Sequence, residues 1–102
     1  MTTAKTIADA IRSGHKVLIC GNGGLAAESE HFAAELMGKY AMEVYAACIS
    51  LTVPSALTTA ISNDMGFENV FSHQVEVLGM PGDILIGMTT SASPNILKAI
   101  EV

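Results

Sequence analysis

Short apolar runs and amphipathic stretches alternate along the chain, and the two patterns predict strands and helices in turn. Val17-Leu-Ile-Cys20 has no polar alternation, as expected of a strand covered on both faces. A second such run predicts a strand over 44–51, with its body at 44–49, and Ile84-Leu-Ile-Gly-Met88 predicts a third. Between them, Ile7, Ala8, Ala10 and Ile11 predict a short helix over 6–13 stopped by Gly14. An alanine-rich helix is expected over 25–37, closed by Gly38, with Leu25, Phe32, Leu36 and Met37 facing the core. Pro54-Ser55 marks the start of a helix over 55–62. Phe67, Val70, Phe71, Val75 and Leu78 recur at spacings of three and four, which predicts a helix over 67–78. Pro81-Gly82-Asp83 reads as a turn, and Pro94 suits the first turn of a last helix over 95–101. Strands alternating with helices imply an α/β fold, a three-layer sandwich with a doubly wound parallel sheet cut to about three strands.

Composition narrows the class. The chain has 102 residues, enough for one domain at most, and it is 50% hydrophobic but only 15% charged. That apolar share is high for so short a chain, and it predicts surface buried against other subunits or against further parts of a domain. No apolar run approaches a bilayer span, and the first seven residues lack the apolar core of a signal peptide. A formal charge of −5 with no basic stripe argues against nucleic acid and against acidic membranes as partners. Cys20 and Cys48 lie inside apolar runs and read as buried thiols, which makes the cytoplasm the default location.

The chemistry gathers around the strand–glycine–helix passage Cys20-Gly-Asn-Gly-Gly24. Such a layout points backbone N–H groups and the positive end of a helix dipole into the crevice beyond the strand. His31 and Glu35 stand i, i+4 on the helix that follows and share one face, as metal donors or simply as a surface pair. Thr89-Thr-Ser91-Ala-Ser93 follows the third apolar run and offers hydroxyls to a phosphate or a sugar. Ser91 and Ser93 equally suit a helix cap before Pro94, and Asp64 suits turn chemistry before Gly66. Glu28 and Glu30 read as a solvated face, and His15 and His73 as facing solvent or a partner.

Taken in order, Gly21-Asn-Gly-Gly24, His31-Phe-Ala-Ala-Glu35, Ser62-Asn-Asp-Met-Gly-Phe67, Gly82-Asp-Ile-Leu-Ile-Gly87 and Thr90-Ser91 resemble the sugar isomerase (SIS) domain family, within it the phosphoheptose isomerases. The resemblance runs over about residues 14–100. It implies a Rossmann- or flavodoxin-like order with the first strand between the other two. It also implies an aldose–ketose isomerase that interconverts sedoheptulose 7-phosphate and a heptose phosphate. Glu35 would be the catalytic base, and His31 and Glu35 two ligands of a zinc ion. Asn22, Gly23, Gly24 and Asp64 would line the sugar site, and Thr89, Thr90, Ser91 and Ser93 the phosphate loop. A homotetramer with clefts near subunit boundaries is implied as well.

Family members are roughly twice this length, so the chain corresponds to the first half of the domain. The family's acid histidine and its remaining zinc ligands, a Gln and a His, belong to the second half. The 102 residues alone are therefore expected to turn over little or no substrate. Two positions depart from the pattern: Leu25 stands where the family has Ser, and the Thr89–Ser93 loop is one residue short with Ala92 in place of Gly. Each lost hydrogen bond to a charged group costs about 1.5–3 kcal/mol, enough to weaken phosphate binding roughly ten- to a hundredfold. These departures favour a second reading, a non-catalytic module that binds a sugar phosphate or a protein partner. A third is a half-domain that folds only by association with copies of itself. A His-bearing helix downstream of Val102 would decide for the enzyme.

Overall fold

The computed structural model describes residues 3–38, 47–91 and 93–102. Within them the chain runs α1 (Thr3–Arg12), β1 (Val17–Gly21), α2 (Gly24–Met37), β2 (Cys48–Ser50), α3 (Ser55–Met65), a 3-10 turn (Phe67–Asn69), α4 (Val70–Leu78), β3 (Ile84–Met88) and α5 (Pro94–Glu101). The three strands form one parallel sheet in the order β2-β1-β3, with the first strand in the centre as the crossover rule requires. The expected strand over 44–51 is seen as Cys48–Ser50, and its portion over 44–46 lies outside the described residues. Leu51 continues the pairing by donating its N–H to the Ile19 carbonyl at 2.8 Å.

Every residue of β1 is buried, and its alternate side chains enter two separate cores. Val17 and Ile19 pack with Ala33 and Cys48 on one face, joined by Ile7 of α1 and by Phe32 and Leu36 of α2. Leu18 and Cys20 pack on the other with Leu51, Ile61, Val70, Phe71, Ile96 and Ala99, from the α3, α4 and α5 side. Full burial of a Leu or Ile side chain contributes about 1.5–3 kcal/mol, so this central strand holds both layers at once. Burial also pushes the thiols of Cys20 and Cys48 up to about 11, which keeps them protonated at neutral pH.

Helix ends and phases differ in places from the periodic reading. The first helix spans Thr3–Arg12 and the third extends to Met65 rather than stopping at 62. Gly14 closes α1 as expected, with the His15 N–H reaching back to the Ala10 carbonyl at 3.0 Å. The stretch over 67–78 is not one helix, because the 3-10 turn winds more tightly and shifts the phase of its first residues. Phe67 is consequently 57% exposed and Leu78 lies at the surface, while Val70 and Phe71 fill the core. Met37 is likewise exposed: α2 turns its small residues Ser29 and Ala33 to the sheet instead.

Polar tethers help fix the layers. Gln74 is buried and donates through Nε2 to the Leu51 carbonyl at 2.9 Å and to Val70 at 3.0 Å, tying α4 to the end of β2. At the amino ends of the strands, the Asp83 carboxylate accepts the Lys16 N–H at 3.0 Å, the Met80 N–H at 2.9 Å and the Lys16 ammonium. Burial alone would raise the Asp83 pKa, but the Lys16 and Met80 hydrogen bonds and the Lys16 charge outweigh it and hold it down at about 2. The Met80–Asp83 turn is thereby pinned to the start of β1.

Candidate functional site

The register of the sheet assembles the site. Gly21 at the end of β1 pairs with Met88 at the end of β3, so the chain leaves both strands side by side. Asn22-Gly-Gly24 emerges from one and Thr89-Thr-Ser91 from the other, at the carboxyl edge where parallel α/β sheets bind ligands. Gly21 permits the tight turn, since a Cβ there would stand 2.6 Å from the Leu25 carbonyl oxygen. Gly23 has φ of +57°, a backbone conformation that a side chain disfavours, and it opens α2 without any side-chain cap. The Leu25 N–H is taken by the Asn22 carbonyl at 3.0 Å, and those of Ala26 and Ala27 by the Gly23 carbonyl at 3.0 and 3.4 Å, so what the helix start offers the crevice is the positive end of its dipole.

The serine loop is built differently from the cap expected there. Ser93 occupies the cap position of α5, but its hydroxyl makes no capping bond; its carbonyl takes the N–H groups of Ile96 and Leu97. Thr89 organises the loop instead, its Oγ1 accepting the N–H of Ser91 at 3.3 Å and of Ser93 at 3.4 Å. Thr89, Thr90 and Ser91 are exposed, Ser93 is half-buried, and Ala92 lies outside the described residues.

Beside these loops lies a cleft of about 310 Å³, bounded by Asn22, by Phe67 and Glu68 of the 3-10 turn, and by Ser93, Pro94 and Asn95 at the start of α5. Of the expected site residues only Asn22 and Ser93 border it. The Asn22 side chain is not free there, because it exchanges two hydrogen bonds of 2.9 Å with the buried Asn95 amide. Asp64 sits on the exposed last turn of α3, where its carboxylate accepts the Asn63 amide at 3.1 Å. Phe67, Glu68 and Asn95 went unrecognised in the sequence. Phe67 fitted the apolar stripe of a helix, and the one available signal for Asn95 was an amide in a helix whose neighbours Ile96 and Ala99 are apolar.

His31 and Glu35 stand apart from this cleft on the outer face of α2, with His31 Nε2 3.0 Å from Glu35 Oε1. Their side chains are 71% and 47% exposed, because the buried face of α2 carries Ser29 and Ala33. Two donors of a tetrahedral zinc ion bonded at about 2.1 Å stand roughly 3.4 Å apart, so a small rotamer change brings this pair to ligand spacing. Among the described residues no third His, Cys, Asp or Glu joins them, and the pair alone falls short of a zinc centre. Beside them Glu30, expected to be simply solvated, accepts the Thr52 hydroxyl at 2.9 Å. That bond ends a chain running through Ser50 to Ser29, which locks α2 to the end of β2.

A larger cavity of about 510 Å³ opens at the other end of the sheet. Val75, Ile84, Leu85 and Ile100 give it an apolar wall, and its charged groups are the carboxylates of Glu76 and Asp83. Asp83 is paired with Lys16, and the lining offers an anion no hydroxyl and no cationic side chain. The hydroxyls of Thr89, Thr90, Ser91 and Ser93 lie at the carboxyl end.

Comparison with known proteins agrees with this layout. The model of the SIS domain family matches residues 1–102. The chain belongs to the SIS domain family. It is 46% identical over 101 residues to the phosphoheptose isomerase of Akkermansia muciniphila, covering 97% of this chain and 53% of that protein. It is 53% identical over 97 residues to that of Campylobacter jejuni, covering 93% of this chain and 52% of the relative. The solved phosphoheptose isomerase GmhA from Neisseria gonorrhoeae superposes with a TM-score of 0.89 at 42% identity, over 96% of this chain and 51% of that one. The enzyme from Francisella tularensis gives 0.91 at 41% identity, over 96% and 52%. This chain thus spans about half the length of the relatives it matches. No helix among the described residues is long and apolar enough to cross a membrane.

Proposed function

We propose that this SIS-domain chain forms part of a sugar-phosphate aldose–ketose isomerase that interconverts sedoheptulose 7-phosphate and a heptose phosphate. The observation that carries this reading is the register of Gly21 with Met88, which sets the glycine loop beside the threonine–serine loop. The positive end of the α2 dipole and the hydroxyls of Thr89, Thr90, Ser91 and Ser93 suit a dianion and a polyol. Asp64 is proposed to receive sugar hydroxyls from the end of α3.

Isomerisation requires a base that removes the proton from the carbon beside the carbonyl. Glu35 is the proposed base. Its exposed place on α2 suits a cleft closed from outside this chain, as in a homotetramer with sites near subunit boundaries. His31 and Glu35 would hold zinc as two of its ligands, and the ion would polarise substrate oxygens when bound. A cytoplasmic location accords with the protonated, unpaired thiols of Cys20 and Cys48.

The test pairs binding with turnover. Calorimetry with sedoheptulose 7-phosphate should give saturable binding. Where a coupled assay registers interconversion, Glu35→Gln should abolish it while leaving the fold intact, since it removes the base without changing shape. Unchanged turnover in that variant would move the proton transfer elsewhere. A second reading, a non-catalytic sugar-phosphate module, is favoured by Leu25, which supplies no hydroxyl at the helix start. Saturable binding with no interconversion, even when the second half of the domain is supplied, would select it.

A further inference from the structure

We infer that Asn95 is a positioning residue of the sugar-phosphate site, holding the glycine loop against the serine loop through the side chain of Asn22. The inference rests on the functional reading above for its meaning, but its geometry stands by itself. Asn95 Nδ2 donates to Asn22 Oδ1 and Asn22 Nδ2 donates to Asn95 Oδ1, both at 2.9 Å. Two antiparallel hydrogen bonds between amides set the separation and also the common plane, which a single bond does not. The partners are 73 positions apart in sequence, so the pair closes a long-range contact rather than a local turn.

Nothing in α5 itself calls for an amide at this position. Asn is a mediocre helix former, and the packing of α5 is supplied by Ile96 and Ala99. Asn95 is only 2% exposed, where an unpaired amide would be costly, so the match to Asn22 is what allows a polar group there. Each partner adjoins a loop of the site. Asn22 precedes Gly23 and Gly24, and its carbonyl takes the Leu25 N–H at 3.0 Å. Asn95 follows Ser93 and Pro94, and the Ser93 N–H is bound in turn by Thr89. The Gly23 carbonyl ties the loop down to its own helix through the Ala26 and Ala27 N–H groups, and the Asn22 amide adds the link across to α5. With one N–H and one lone pair committed to Asn95, the chief part of Asn22 is to transmit that hold. A ligand spanning the two loops then meets them at a fixed separation.

Nitrogen-15 relaxation and calorimetry on the wild type, Asn95→Ala, Asn22→Ala and the double variant test the proposal, with sedoheptulose 7-phosphate as the probe. Asn95→Ala should lower the order parameters of Gly23 and Gly24, and Asn22→Ala those of Ser91 and Ser93, from about 0.85 toward 0.6 or less. Residues of β1 should keep their values. Affinity should fall about tenfold in either single variant, and the double variant should bind no more weakly than the singles. Asn22 is half-buried, so Asn22→Ala keeps the test open if Asn95→Ala does not fold. Unchanged order parameters in the opposite loop would overturn the inference, as would affinity losses that multiply in the double variant. A wild type that binds no sugar phosphate while the cross-loop loosening appears would overturn the functional reading and uphold the clamp.

Discussion

The two ends of the β1–β3 pair are tied by opposite kinds of chemistry. At the amino end, Asp83 gathers two backbone N–H groups and the Lys16 ammonium around a carboxylate that is only 9% exposed. At the carboxyl end, the same strands are linked by a neutral amide pair, Asn22 with Asn95. The charged tether is strong and sensitive to acid, and it serves a turn with no site chemistry. The neutral tether is weaker, but it adds no net charge beside loops whose hydroxyls and helix start suit an anion. A carboxylate there would repel a phosphate, and an ammonium would bind anions without regard to shape. The sheet thus places its electrostatic stabilisation away from the edge proposed to meet ligand.

The largest way to break this contrast is Asp83→Ala, which strands the Lys16 charge and two N–H groups in a largely buried place. It should cost about 3 kcal/mol of stability, read as a lower urea midpoint. Next comes the acid response. Since the folded pKa of Asp83 lies at about 2, below its ordinary value of 3.8, its contribution is complete above about pH 4 and is lost as pH falls toward 2. Denaturant melts from pH 5 down to 2 should show this loss in the wild type and not in Asp83→Asn. Asn95→Ala should cost about 1–2 kcal/mol with little change between those pH values, because neither amide titrates. The smallest effect belongs to Arg12→Ala. Its pair with Asp9 is exposed at 3.4 Å, and removing it should change stability by no more than about 0.5 kcal/mol. Equal losses in Asp83→Ala and Arg12→Ala would remove burial as the reason for the contrast.

The fold was largely legible because its strands are unbroken apolar runs and its turns carry glycine and proline where backbone geometry needs them. Val17–Gly21 and Ile84–Met88 stand where the hydrophobic pattern placed them, and β1 is central as the doubly wound order requires. The phase of 67–78 was not legible, because the 3-10 turn at Phe67–Asn69 keeps the spacing of apolar residues while rotating their direction. What was legible at the candidate site is that the glycine and serine loops each follow a strand of one parallel sheet, which the register of Gly21 with Met88 sets side by side; the same residue types also serve turns and caps. The Asn22–Asn95 pair could not be read, because hydrogen bonding between positions so far apart leaves no local pattern. The exposure of His31 and Glu35 was equally hidden, for i, i+4 spacing fixes a shared face but not the direction in which that face points.

The central claim is that ligand chemistry belongs to the carboxyl edge of the sheet and not to the larger apolar cavity at the opposite edge. Amide chemical shifts followed during a titration with sedoheptulose 7-phosphate test it most directly. The account predicts saturable shifts at Gly23, Gly24, Thr90, Ser91 and Ser93, with Lys16, Met80 and Asp83 unmoved. Shifts confined to Met80, Asp83 and Ile84, or none at either edge at millimolar ligand, would contradict it.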